Sequence, residues 1–141
     1  MTSVLAAASN VEGVLAPEAV EHWGVIEPML NRILKQYDVG YTTEDVLTAL
    51  QLREMQLWRI GDWDAIAVTE IYKTPQFLAL MVIFMAGDGM NEWFDDVMEL
   101  LEQFARAHGC KFVEARGRRG WVRVGKERGY EEMLTICRKE L

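Results

Sequence analysis

The stretch FMAGDGMNEWFDD, residues 84–96, carries an apolar run through a glycine turn and straight into an amphipathic pattern. Just upstream, FLALMVIFMA (77–86) is apolar at every position, as a strand covered on both faces has to be. Downstream, Phe94, Val97, Met98, Leu101, Phe104 and Ala105 fall at helical spacing. That spacing predicts a helix over 91–108, with Gly109 as the residue just past its end. A strand, a glycine turn and a helix N-terminus in this order bring free backbone N–H groups and a helix dipole to one place, where an anion can bind. The same residues supply an opposing reading. Asp88, Glu92, Asp95 and Asp96 put negative charge at that place, and Asp88 or Asn91 can serve simply as the cap of the helix.

On the C-terminal side, CKFVEAR (110–116) reads as a second strand, so the helix is a crossover that predicts parallel pairing and a right-handed connection. On the N-terminal side the period is two. MQLWRI (55–60) and WDAIAVTEIY (63–72) alternate, and Gly61-Asp62 and Thr74-Pro75 supply turns, so three antiparallel strands lead into the crossover. Further back, VEGVLA (11–16) suits a short edge strand and Pro17 the first turn of a helix. Apolar residues from Val20 to Tyr37 keep helical spacing, with Gly24 and Pro28 predicting a kink or two helices. Thr42 or Thr43 caps the next helix. After the crossover, RRGWVRVGKER (118–128) predicts a short helix closed by Gly129, and YEEMLTICRKE (130–140) a last strand. The expected fold is α/β: a mixed sheet with helices on both faces, in one domain spanning 1–141 whose first ten residues form a loose N-terminus.

The totals agree with that architecture. At 141 residues the chain is one domain's worth and can bury roughly 70% of its unfolded surface. The net charge of −7 argues against a nucleic-acid binder, yet seven of the fifteen basic residues lie between Lys111 and Arg128, a local patch that can grip a phosphate group or stand as a solvated or partner-contacting face. Trp58, Trp63 and Trp121 are candidates for lining a groove or an interface. Cys110 and Cys137 sit in apolar strand contexts and are expected to be buried, reduced thiols. The opening residues lack the basic start of a signal peptide, and the apolar run 77–86 is half the length of a membrane helix. The expectation is therefore a cytoplasmic protein without a membrane partner, the cytoplasm including that of an infected host. The only serines are Ser3 and Ser9, which excludes a serine hydrolase, and no Walker loop or metal-spaced His/Cys cluster occurs.

This order of elements, with the GDG turn after an apolar strand and with GWVRVGKERGYEE (120–132) closing in the pair Gly129-Tyr130, resembles the GNAT-like N-acetyltransferase superfamily. The compact chain with its closing Lys-Glu-Leu also resembles GNAT-like proteins of bacteriophage and prophage genomes. The resemblance implies an acyl-CoA such as acetyl-CoA between the strands 77–86 and 111–116. Its pyrophosphate would meet the N–H groups of Gly87, Asp88, Gly89, Met90 and Asn91, and Arg118 and Arg119 of the basic patch would grip its ribose phosphate. It implies an amine acceptor entering over the hairpin strands and early helices. The chain departs from the family at Phe84, where Gln or Arg is usual, and at Gly125, where a general-acid tyrosine is usual. For a base, Glu70 and Glu114 stand mid-strand between apolar neighbours, where half-burial can raise a carboxylate pKa toward neutrality. The alternative for each is a solvated strand face. Two functions follow: an acyl-CoA-dependent N-acyltransferase, or a non-catalytic GNAT-fold structural or binding protein, such as a bacteriophage virion component with protein partners in an assembly.

Overall fold

The computed structural model describes residues 10–117 and 119–141; all of the expected loose start except Asn10, and Arg118, fall outside them, and Arg119 is described by its backbone alone. Along the chain run β1 (Val11–Val14), α1 (Ala16–Glu21), α2 (Trp23–Gln36), α3 (Thr43–Gln51), β2 (Gln56–Ile60), β3 (Ala65–Lys73), β4 (Leu78–Gly87), α4 (Met90–Ala107), β5 (Phe112–Ala115) and α5 (Arg119–Gly125). A single 3-10 turn, Lys126–Arg128, follows. The strands form one sheet in the order β1-β2-β3-β4-β5, antiparallel up to β4 and parallel between β4 and β5.

Local chemistry sets the helix boundaries. The early helical pattern is two helices, α1 opening on Pro17 and α2 starting after His22, with Pro28 retained inside α2. Thr42 caps α3 in a reciprocal box: its hydroxyl accepts from the Asp45 N–H at 3.1 Å, and the Asp45 carboxylate accepts from the Thr42 N–H at 2.8 Å. Those bonds hold the Asp45 carboxyl below its ordinary range. Past α4, Gly109 takes φ +75°, the left-handed form expected of a residue closing a helix.

Two cores lie on the two faces of the sheet. Ile26, Leu30 and Val46 of α2 and α3 pack with Leu57, Ile66 and Val68, while Phe94, Val97 and Leu101 of α4 pack with Ile60, Leu80 and Val82. Trp121 and Val124 of α5 join the second core. β4 serves both because its register shifts: Val68 pairs with Phe84 and Thr69 with Val82, so Ile83 is an extra residue. Leu80 and Val82 therefore face α4, whereas Phe84 and Ala86 face the α2 and α3 side. This double duty is why the strand is apolar throughout.

Two expectations are corrected, the last strand and the burial of Cys137. Trp58 does line a groove, with Gly13, Leu57, Phe104 and His108. It is 6% exposed, and its indole N–H donates to the Thr69 hydroxyl at 2.9 Å, which in turn donates to Gln56 Oε1 at 2.9 Å. The last strand is absent: residues 130–141 have neither helix nor strand pairing, because no strand lies beside them in the sheet. Consequently Cys137 is exposed rather than buried. Cys110 is half-buried, and burial pushes its thiol pKa up.

Candidate functional site

β4 and β5 run side by side only from Ala79–Phe112 to Val82–Ala115. The last link is the Arg116 N–H donating to the Val82 carbonyl at 3.2 Å. Beyond it β5 ends while β4 continues through Ile83 to Gly87, bonded to β3 alone. The bulge at Ile83 coincides with this parting. It turns the strand just past the point where its pairing with β5 ends.

At the end of this singly paired stretch of β4 lies the glycine turn. Gly87 has φ +125°, and a Cβ there would sit 2.4 Å from Ala65 Cα and from the Asp64 carbonyl, so this glycine lets β4 close onto the start of β3. Gly89 differs. It takes φ +78° at the N-cap of α4, and a Cβ added to it meets nothing nearer than Trp93 at 3.7 Å. The Asp88 N–H is spent on the Asp64 carbonyl at 3.4 Å, and the Glu92 N–H on Gly89 at 2.9 Å. The Trp93 indole pins the turn by donating to the Asp88 carbonyl at 2.7 Å. Among the described residues, the N–H groups of Gly89, Met90 and Asn91 have no backbone acceptor outside the helix, and a first helical turn offers them none inside it. The side chain of Glu92 approaches this open space, a negative charge at the positive end of the dipole.

The two glutamates share one row of the sheet. Glu70 pairs with Met81 and Met81 with Glu114, so both lie on the α2 and α3 side with one strand between them, about 10 Å across at the usual strand spacing. They meet different surroundings. Glu70 borders a depression with Arg53, Glu54, Gln56 and His108. Glu114 accepts a hydrogen bond from the Tyr72 hydroxyl, one position from the end of the β4–β5 ladder. That bond, with some burial, raises the Tyr72 phenol pKa. Tyr72 was not a sequence candidate. It reaches Glu114 over Ala79, whose small side chain leaves the path open. Such a pair is legible only once the register is known.

The basic patch is partly consumed within the chain. Arg128 is paired to Glu102 at 3.0 Å, Glu99 at 3.3 Å and Asp95 at 3.7 Å on α4. Desolvation opposes its charge, but these carboxylates outweigh it and raise its pKa. Tyr130 packs beside them, its hydroxyl donating to Glu102 at 2.7 Å; burial and then that bond push its phenol far up.

No family model matches the chain, and no curated protein matches it in sequence. Solved structures do match it. A probable acetyltransferase superposes with a TM-score of 0.70 at 11% identity, covering 93% of this chain and 95% of the other. An aminoglycoside acetyltransferase from an uncultured soil metagenomic sample, in complex with sisomicin, gives 0.68 at 9% identity over 93% and 95%. A ribosomal-protein-alanine N-acetyltransferase from Brucella melitensis biovar Abortus 2308 gives 0.64 at 12% identity over 93% and 99%. This is the GNAT acetyltransferase fold. Identities this low carry the GNAT architecture and leave the chemistry to the residues described above. Among those residues no helix is long and apolar enough to cross a membrane, and no group of His, Cys, Asp and Glu could hold a metal ion.

Proposed function

We propose that this chain is an acyl-CoA-dependent N-acyltransferase acting on an amine, with its reaction centre where β4 and β5 part. The observation that carries this reading is the Tyr72–Glu114 pair at the parting point of two strands of a GNAT fold. An acyl-CoA fits the backbone there. Its phosphates would meet the three unpaired N–H groups of Gly89, Met90 and Asn91, with open space over Gly89. Asp88 contributes its carbonyl to Trp93 and its N–H to Asp64, just ahead of β3, so it shapes the turn rather than holding a phosphate. Arg118 and Arg119 remain candidates for the ribose phosphate.

The bound thioester supplies an activated acyl group. The protein's own task is then to take a proton from the acceptor ammonium and to keep the amine facing the cleft. Glu114 is the better base of the two glutamates, because it stands beside the parting point while Glu70 faces the depression with Arg53 and His108. Tyr72 holds the Glu114 carboxylate in place and is an O–H donor close to the cleft, in a chain whose usual tyrosine position is Gly125. The open stretch of β4 after Val82 offers backbone N–H groups for the charge that develops on the acyl oxygen. A cytoplasmic setting accords with this chemistry.

A second reading has its own observation. The turn is crowded by Asp88 and Glu92, and one of its amides is already spent, which favours a GNAT fold kept as a non-catalytic binding or structural protein, such as a bacteriophage virion component. Calorimetric titration with acetyl-CoA separates the two. Saturable micromolar binding, abolished by Gly89→Glu, is the expected result. No heat at millimolar acetyl-CoA would sink the transferase reading.

A further inference from the structure

A groove of about 890 Å³ opens where β1 and β2 meet the start of α1 and the ends of α3 and α4. Leu50, Met55 and Leu57 are buried beneath it, and Leu15 and Val20 stay exposed at its rim. A mostly apolar wall of this size, with a few polar groups, is the form of a small-molecule site. Gly13 lies inside β1 opposite Trp58, and a Cβ there would come 3.5 Å from the indole ring. Its φ lies outside the left-handed region, so the backbone does not require glycine at this point. A glycine inside a strand otherwise marks a place where another molecule approaches closely. The polar groups collect at one end: Arg53, Gln56 and His108 line both the groove and the depression beside it. Gln56 accepts from the Thr69 hydroxyl, which accepts in turn from the Trp58 indole. That chain orients the amide and leaves its NH2 a donor without a partner among the described residues. No ion pair or hydrogen bond holds the Arg53 side chain among them either. In a chain with 22 acidic residues and a net charge of −7, no carboxylate lines this groove.

We propose that this groove binds a small amphipathic monocarboxylic acid. Its apolar tail lies over Leu50, Met55, Leu57 and the Trp58 ring, and its carboxylate meets Arg53 and the free amide NH2 of Gln56. The guanidinium fork suits a carboxylate, and the oriented amide adds a second donor. The charge of the head group follows from what surrounds Arg53. A cationic head would face the guanidinium and, in the groove, no carboxylate. A doubly charged head such as a phosphate would be repelled by Glu54 and Glu70, which line the adjoining depression, more strongly than a single carboxylate is. The groove is separate from the proposed reaction centre. Gln56 pairs with Thr69, Thr69 with Val82 and Val82 with Ala115, so β2 lies three strand spacings, about 14 Å, from β5. The proposal stands independently of any acyl transfer.

Calorimetric titration of the full chain with decanoate tests it. Saturable micromolar binding is expected, with affinity rising roughly two- to fourfold for each methylene between hexanoate and decanoate. Decylammonium and decyl phosphate should bind about tenfold more weakly, and Arg53→Gln should weaken decanoate by about the same factor. Gly13→Leu, which fills the space beside the Trp58 ring, should abolish binding. Both positions are exposed, so the thermal melts of the two variants should match that of the parent. Should Gly13→Leu fail to fold, Arg53→Gln and the chain-length series decide. The proposal is overturned by the absence of saturable heat at millimolar decanoate, by equal affinity for decylammonium, or by binding indifferent to Arg53→Gln.

Discussion

β4 is held on both sides along Ala79–Val82 and on one side along Ile83–Gly87, and the two halves are built to different ends. In the first half, neighbouring strands and both helical layers use every face and every backbone group. In the second, β5 has gone, and what remains is a covered face with an open edge leading to a turn that keeps three N–H groups free. Packing accounts for the first half. It accounts for the second only in part, since the free amides contribute little that a plain sheet would need. The two glycines of the turn repeat the contrast: Gly87 belongs to the packed half, Gly89 to the open one.

The contrast is tested most severely by giving each glycine a side chain. Gly87→Ala forces a Cβ against Ala65 and the Asp64 carbonyl at a φ of +125°, adding strain and overpacking that together cost about 4 kcal/mol. Gly89→Ala meets open space and carries the left-handed penalty alone, about 1–2 kcal/mol. Urea denaturation of the two variants should show that ordering clearly. Equal losses would mean that the turn is packed throughout and that no cradle exists at Gly89.

The boundary between the halves offers a smaller test. Thr69 lies opposite the bulge, fully buried, with its hydroxyl between the Trp58 indole and Gln56. Thr69→Val leaves the buried indole N–H without an acceptor, at a cost of about 1–3 kcal/mol. Trp58→Phe added to it removes the orphaned donor, so the double variant should be more stable than the sum of the single losses. Strict additivity in that cycle would show that the bond does not brace the bulge.

Most of the first half could be read from the sequence, because period and turn chemistry are local. Alternation placed β2 and β3, the apolar run placed β4, Thr42 placed a cap, and Gly109 closed α4. The bulge was not legible: nothing at Ile83 distinguishes it from its apolar neighbours, and its effect shows only in how β4 pairs with β3. The open half suffered for the same reason. Glu114 was legible as a mid-strand carboxylate. Its partner Tyr72 lies 42 residues away, and only the pairing of three strands brings them together. The C-terminal segment misled in another way, since its composition is that of a strand but, among the described residues, no strand pairs with it.

The smallest expected effect bears on the last doubly paired positions of β4, where the open half begins. In the folded protein the Glu114 hydrogen bond, and to a lesser degree burial, hold the Tyr72 phenol above its ordinary value of 10.0. A raised folded pKa means the protonated phenol is favoured by folding. The pair's contribution to stability is therefore complete below about pH 10 and is lost as pH rises through the folded pKa. Tyr72 is only half-buried, so solvent screens the contribution and keeps it small. Glu114→Ala should lower the midpoint of one of the four tyrosines in an ultraviolet titration, and Tyr72→Phe should remove that same transition. The stability gap between the parent and Tyr72→Phe should stay constant at neutral pH and narrow above about pH 10. A titration curve indifferent to Glu114 would mean that the two side chains do not meet. The open half would then hold a cleft without a positioned base, and the comparison with the packed half would favour a binding protein over a transferase.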